Sequence, residues 1–277
     1  MTAGAIPSSG ARVLALGRPG IPNGIADLPA FLDHMEAAGP DGGDQPVAVV
    51  LICPAVPETP GEGLARRLRG LARWCDTAVV ALDVPGSVIE LTARVAATIA
   101  PNMSPDVVPE FSRRIAAAAA TVAVIDSTSR LRRPAPSLGQ HARSWLPGAW
   151  FAVTPDQRVL SGRDVARAAL REAVAEAGPV ALAATSAGTL LAEFRQDLPP
   201  DVPVVEQPDG GRDPYWGARN WLEFSWLRTA PAQLAEQLAA ESSMRCANCG
   251  RRTHREVCSY CAAVTRHIPR RQEAATQ

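Results

Sequence analysis

Apolar positions along this chain fall into two patterns that alternate. Pro46–Cys53 carries Val47, Val49, Val50, Leu51 and Ile52 almost without a break, the mark of a strand covered on both faces. Thr77–Val84 and Thr121–Asp126 read the same way, with further strands expected over Arg12–Leu16, Val180–Ala184 and Val202–Glu206. Between them the period lengthens to that of a helix. Asp27 can cap a helix running to Glu36, with Leu28, Phe31, Leu32 and Met35 on one face. Helices are also expected over Leu64–Trp74, Val88–Ile99, Pro105–Ala119, Asp164–Ala177, Gly188–Asp197, Tyr215–Leu227 and Ala230–Ala240. Ala149–Thr154 and Arg158–Leu160 flank Pro155-Asp156-Gln157 as a hairpin, and residues 127–147 read as one long loop.

This alternation predicts an α/β layered domain with a mainly parallel, doubly wound, Rossmann-like sheet. A closed (β/α)8 barrel fits less well, because the hairpin near 155 and the doubled helices over 88–119 break its period. The expected organisation is a disordered leader over 1–10, an α/β domain over 11–240, a small ribbon over 244–271 and a tail over 272–277.

Composition narrows the picture. The chain has 277 residues, 47% of them hydrophobic, enough for a substantial core. No apolar run reaches the roughly 18 residues of a membrane span. Met1–Gly10 has neither a basic residue nor an apolar stretch, so a cytoplasmic location without a membrane partner is expected. All 28 basic residues are arginine, which excludes a lysine Schiff base and a P-loop lysine. From Arg245 onward, Arg245, Arg251, Arg252, Arg255, Arg266, Arg270 and Arg271 face only Glu256 and Glu273, so a basic tail follows a mildly acidic body. Such a tail suits a polyanion, and these seven arginines are the expected nucleic-acid contacts. A merely solvated ribbon surface is the competing reading.

The most specific chemistry lies in Cys246, Cys249, Cys258 and Cys261, spaced C-x2-C-x8-C-x2-C. Each C-x2-C can turn two thiolates toward one point, and two such turns close a tetrahedral sulfur cage suited to zinc. Gly250, after the second cysteine, can take the positive φ that closes the turn. A site with four thiolate ligands leaves no open position for substrate, so it marks a metal and not a reaction. Cys53 and Cys75 lie outside the cluster and read as buried thiols. His254 and His267 could replace a cysteine ligand, but four well-spaced thiolates make that unnecessary, and Glu256 reads as a surface charge.

Around this cage the sequence resembles the small zinc-ribbon subunit of H/ACA pseudouridylation ribonucleoproteins. The matching residues are Arg245, Cys246, Cys249, Gly250, Arg251, Thr253, Arg255, Glu256, Val257, Cys258, Cys261, Thr265, His267, Pro269 and Arg270. The chain departs from that family at Ala262, where the second knuckle usually has glycine, and it lacks the family's following helix. The resemblance implies an RNA-associated ribbon that docks on a ribonucleoprotein subunit and has no catalysis of its own.

Elsewhere the candidates are weaker. Asp83-Val-Pro-Gly-Ser87, at a strand end, resembles the D-x-S-x-S metal-adhesion loop of von Willebrand A domains, with Pro85 at the first serine position. Asp83 and Asp126 both end strands, where open α/β sheets bind ligands, and are the candidate catalytic acids, with Arg130 or Arg163 as cleft partners. The loop Gly17–Gly24 and Ser186-Ala-Gly188 match no phosphate loop or nucleophile elbow. Trp216, Trp221, Phe224 and Trp226, near Arg212, Arg219 and Arg228, could stack bases but read better as packing. Three functional readings stand at this point. The first is a zinc protein docking on RNA, DNA or a ribonucleoprotein. The second is an enzyme acting on a nucleotide, nucleic acid or phosphorylated ligand. The third is a protein–protein adaptor. Oligomeric state is open.

Overall fold

A computed structural model describes residues 12–15, 47–54, 75–131, 133–186, 188–206 and 215–263. The three N-terminal strands are β1 (Arg12–Ala15), β2 (Val47–Pro54) and β3 (Cys75–Leu82), paired in parallel in that order. Val49 to Cys53 in β2 are fully buried, as an unbroken apolar run in a central parallel strand should be. Cys53 is thus the buried thiol expected, and Cys75 opens β3. The helices expected over 27–36 and 64–74 lie outside the described residues.

Helix α1 (Gly86–Ile99) is buried along most of its length, from Ser87 through Ala93 without interruption. A helix covered all round must lie between two layers. It packs on β1 and β2 on one side and, on the other, on a second sheet of six strands. That sheet has β4 (Ala119–Ile125), β5 (Phe151–Val153), β6 (Val159–Ser161), β7 (Ala181–Thr185), β8 (Val204–Glu206) and β9 (Trp221–Leu227), ordered β6-β5-β4-β9-β7-β8. Helix α2 (Val108–Ala118) packs on α1 and β3. A short helix α3 (Leu138–Arg143) interrupts the expected 127–147 loop. Helices α4 (Arg163–Glu176) and α5 (Gly188–Phe194) pack on the six-stranded sheet, α4 on β4 to β6 and α5 on β7 and β9. Helix α6 (Pro231–Ala240) lies against α2.

The α/β class holds, but the mainly parallel, doubly wound expectation does not extend to the larger sheet. There β4–β5, β5–β6, β4–β9 and β7–β9 are antiparallel, and only β7–β8 is parallel. β5 and β6 form the hairpin expected near 155, and the centre of the sheet turns antiparallel because of β9, a strand where a helix was expected over Tyr215–Leu227. Its side chains alternate between two cores. Trp221 joins the core around α1, while Leu222, Phe224 and Trp226 join the core under α4. Glu223 and Ser225 share the α1 side with Trp221 and are completely buried, so the alternation Leu222-Glu-Phe-Ser-Trp226 is that of a strand whose polar side chains are buried too. The aromatic cluster is packing, as expected, with Trp221, Phe224 and Trp226 on a strand and Trp216 in the turn before it.

Candidate metal centre

After α6 the chain forms a two-residue ladder, β10 (Met244–Arg245) with β11 (Arg252–Thr253), and two knuckles of matching construction. In the first, Gly250 donates its amide to the Cys246 carbonyl at 2.8 Å and Cys246 donates to the Arg251 carbonyl at 2.8 Å. In the second, Ala262 donates to the Cys258 carbonyl at 2.9 Å and Cys258 donates to the Ala263 carbonyl at 3.0 Å. The residue after each second cysteine turns left-handed, Gly250 at φ 73° and Ala262 at φ 57°. Glycine takes that conformation freely and alanine does not.

The knuckles bring the four Sγ atoms within 4.8 Å of one another. Cys246 and Cys261 approach to 3.6 Å, as do Cys249 and Cys258, so the shortest approaches run between knuckles. A tetrahedral centre with metal–sulfur bonds of about 2.3 Å has sulfur–sulfur edges of about 3.8 Å. The cluster can therefore hold one metal ion. Cys246 and Cys258 are buried, Cys261 is half-buried and Cys249 is exposed. His254, half-buried, is outside this ligand set, and His267 lies beyond the described residues.

The thiols are not equivalent. Although Cys249 as a residue is exposed, the water lost around its sulfur pushes it up to about 12, helped by the neighbouring thiols and opposed by the Arg251 amide. Burial also raises Cys258. Burial acts upward on Cys261 too, but hydrogen bonds from the Asn248 side chain, the Ala263 amide and the Cys246 and Cys249 thiols bring it down to about 6.

The ribbon is fastened to the α/β body on several sides. The Val79 amide of β3 donates to the Ser259 carbonyl at 3.1 Å, so the second knuckle continues the open edge of the three-stranded sheet. Arg113 of α2 donates to Ser259 Oγ at 2.9 Å, and the Tyr260 hydroxyl donates to the Pro105 carbonyl at 2.7 Å. Arg251 pairs with Asp106 and lies over the Tyr260 ring, 4.5 Å from its centroid, and the Arg252 amide donates to the same Asp106 carboxylate at 3.2 Å. Cys246, Cys258 and Tyr260 belong to the core that surrounds α1. Burial lowers the pKa of Arg113, and nearby Arg255 adds to this against the pull of Glu110. None of these contacts was legible in the sequence, where Tyr260 is one of the two residues between Cys258 and Cys261.

The other candidates separate. Asp83 pairs with Arg133 at 2.9 Å, both well exposed, while Asp126 accepts from Asn220 Nδ2 at 2.9 Å. They follow strands of different sheets, and no described contact joins them. Arg163 pairs with Glu193, and Arg130 packs against Gly217. Ser87 spends its hydroxyl on Ser225 Oγ at 2.7 Å and its amide on Glu223, which leaves nothing resembling a metal-adhesion loop. Ser186 is likewise occupied with the Trp221 backbone. The Gly17–Gly24 loop, Arg212, Arg266, Arg270 and Arg271 lie outside the described residues.

No protein-family model matches the chain, and no curated protein matches it. Solved structures do. A DegV family protein from Eubacterium eligens loaded with heptadecanoic acid overlaps with a TM-score of 0.46 at 14% identity, over 77% of this chain and 79% of its own. The Fak B3 protein of the Streptococcus pneumoniae fatty acid kinase, loaded with linoleic acid, overlaps with a TM-score of 0.44 at 13% identity, over 71% and 75%. Dihydroxyacetone kinase from C. freundii, in complex with AMP-PNP and Mg2+, overlaps at 0.43 and 13%, over 82% of this chain and 50% of its own.

These findings correct the expectation of an RNA, DNA or ribonucleoprotein partner and of an RNA-binding role. The first two similar structures carry fatty acids. Within the ribbon, Arg251 is turned inward onto Asp106 and Tyr260. Arg245 reaches back to the Gly250 carbonyl at 3.2 Å, and the Arg252 amide is held by Asp106. Arg255 stands beside Arg113 at the α2 junction. The basic surplus read from composition is thus spent partly inside the chain.

Proposed function

We propose that this chain is an α/β protein whose C-terminal ribbon is a structural metal clasp. Cys246, Cys249, Cys258 and Cys261 hold one zinc ion, and the closed cage fixes the ribbon across α2 and the open edge of β3. The observation that carries this reading is the sulfur geometry, with closest approaches of 3.6 Å near the edge length a zinc–thiolate tetrahedron requires. Four thiolates fill the coordination sphere, so the ion supplies folding free energy and no chemistry toward a substrate. A stretch of roughly 20 residues buries too little surface to hold its own shape, and both the metal and the body are needed to fix it.

The test is metal analysis of the purified full chain combined with hydrogen exchange over 244–263 before and after chelation. The expected result is one zinc per chain and loss of amide protection at Val79 and across the knuckles once it is removed. Metal-free protein with an equally protected ribbon would overturn the proposal. Cys258→Ser should lose the ion and loosen the ribbon without melting the six-stranded sheet. The fatty acids carried by the similar structures make acyl chains the first ligand class to assay on the α/β body, by extraction and mass analysis of the same preparation.

A further inference from the structure

Helix α3 is inside out. Ser137 and Gln140 form a reciprocal capping box, the Ser137 Oγ accepting from the Gln140 amide and the Gln140 Oε1 accepting from the Ser137 amide. Gln140 also donates its side-chain amide to the Val159 carbonyl of β6, and its backbone carbonyl accepts from Thr128 Oγ1 at 3.2 Å. The polar side of the helix is therefore what anchors it. Its apolar side chains point the other way: Leu138 is 91% exposed, Trp145 75% and Leu146 61%. Leu138, Ala142 and Trp145 follow at helical spacing, and the turn is continued past Arg143 by the Trp145 and Leu146 amides, which donate to the Ala142 and Arg143 carbonyls.

Three large apolar side chains held outward by a hydrogen-bonded anchor are a docking feature rather than a packing accident. The surrounding charge is one-sided. Residues 127–155 contain Arg130, Arg132, Arg133 and Arg143 and no Asp or Glu. Arg130, Arg133 and Arg143 are exposed; Asp83, from the turn after β3, pairs with Arg133, and Asp156 accepts from Thr154 at the far end of the stretch.

We propose that the α3 face docks peripherally on an anionic lipid bilayer, with Trp145, Leu138 and Leu146 in the headgroup–acyl boundary and Arg130, Arg133 and Arg143 against the lipid phosphates. Tryptophan with leucine suits that boundary, and arginine adds attraction to anionic lipid. A second copy of the chain fits worse, because a twofold contact would set the same arginines against themselves with no acid in the stretch to pair them. Nothing here requires a spanning helix. Among the described residues no helix is long and apolar enough to cross a membrane. The sequence expectation of no membrane partner rested on the lack of a spanning apolar run and of a secretory signal, and neither bears on peripheral docking.

The test is flotation of the full chain with phosphatidylglycerol vesicles and with phosphatidylcholine vesicles. The chain is expected to float with the anionic vesicles and to be released by salt. Leu138→Ser combined with Trp145→Ser and Leu146→Ser should weaken binding by about tenfold or more while leaving the melting temperature unchanged. Arg143→Glu should weaken binding to the anionic vesicles by about fivefold or more. Trp145→Phe should keep binding but lose the fluorescence quenching that brominated lipid causes in the parent chain. The proposal falls if the chain stays in solution with both vesicles, or if the triple variant floats as well as the parent. It also falls if the substitutions abolish only self-association of the chain, which would assign the face to a second copy.

Discussion

The Glu223 carboxylate accepts the Ser87 amide at 2.7 Å, joining the middle of β9 to the first turn of α1 across 136 residues of sequence. Pro85 precedes α1 and supplies no side-chain cap, so the orphaned amides of the first turn need a partner from elsewhere. A carboxylate there also opposes the positive end of the helix dipole. Its other oxygen accepts from Trp216 Nε1 at 2.5 Å. Both Ser87 and Glu223 are completely buried. Glu223→Gln replaces one acceptor oxygen with an NH2 group that must meet one of these two donors. The expected loss is about 2 kcal/mol, read as a lower denaturant midpoint. Trp216→Phe removes only one donor and should cost less of the α1 amide protection seen by hydrogen exchange. Equal protection in parent and Glu223→Gln would show that the cap contributes nothing.

The ribbon's attachment gives a second prediction. Tyr260→Phe removes one buried hydrogen bond, to Pro105, and keeps the ring under Arg251. The expected cost is about 1 kcal/mol. Arg251→Ala removes the Asp106 pair and the stacking together and should loosen the ribbon more. Measured metal release to a chelator should quicken in the order parent, Tyr260→Phe, Arg251→Ala, because docking and metal retention support each other. Release rates that do not change across the three would mean the cage holds independently of its docking.

What could be read from sequence followed the range of the signal. The cage depends on spacing over 16 residues, and local turn chemistry places all four thiols. Strands β2 and β4 and helices α4 and α6 announce themselves by uninterrupted or periodic apolar runs. β9 does not. Trp221, Phe224 and Arg228 sit at helical spacing, and the polar Glu223 and Ser225 are buried by partners more than 100 residues away, Ser87 and Thr121. Leu222-Glu-Phe-Ser-Trp226 does alternate with a period of two, but over five residues that signal competes with the helical spacing of the aromatics. α3 did carry a legible start, the Ser137-x-x-Gln140 box, but its apolar residues face outward, so no inward stripe followed. The docking of Tyr260 on Pro105 spans 155 residues and leaves no local trace.

Ala262 offers a prediction of opposite sign. It holds φ 57° at the position matched by Gly250 in the first knuckle. A Cβ in the left-handed region costs roughly 1–2 kcal/mol, partly offset by the freedom glycine gains in the unfolded chain. Ala262→Gly should therefore stabilise the metal-loaded ribbon by up to about 1 kcal/mol and slow metal release. Gly250→Ala should do the reverse. A destabilising Ala262→Gly would mean that the second knuckle relaxes once the ion is in place.

Metal uptake should depend on pH in a way the unequal thiols set. Ligation requires thiolates, so every cysteine still protonated in the metal-free ribbon must release its proton to the solvent. Cys261, held down to about 6, is already mostly ionised at pH 7, whereas Cys249, pushed up to about 12, is protonated and Cys258 is raised as well. At pH 7 Cys249 and Cys258 each give up a proton on ligation, and Cys261 gives up little. Apparent affinity should rise with pH across the neutral range, by about tenfold per pH unit for each proton released. Below about pH 6 Cys261 must give up a proton too, and the dependence should steepen. Competition with a chelator of known affinity between pH 5 and 8 reads both limbs. The stability that bound metal adds should fall with acid in step, because it is the same binding free energy. An affinity that does not change with pH would mean that the four sulfurs are already ionised before the ion arrives, against the burial that raises Cys249 and Cys258.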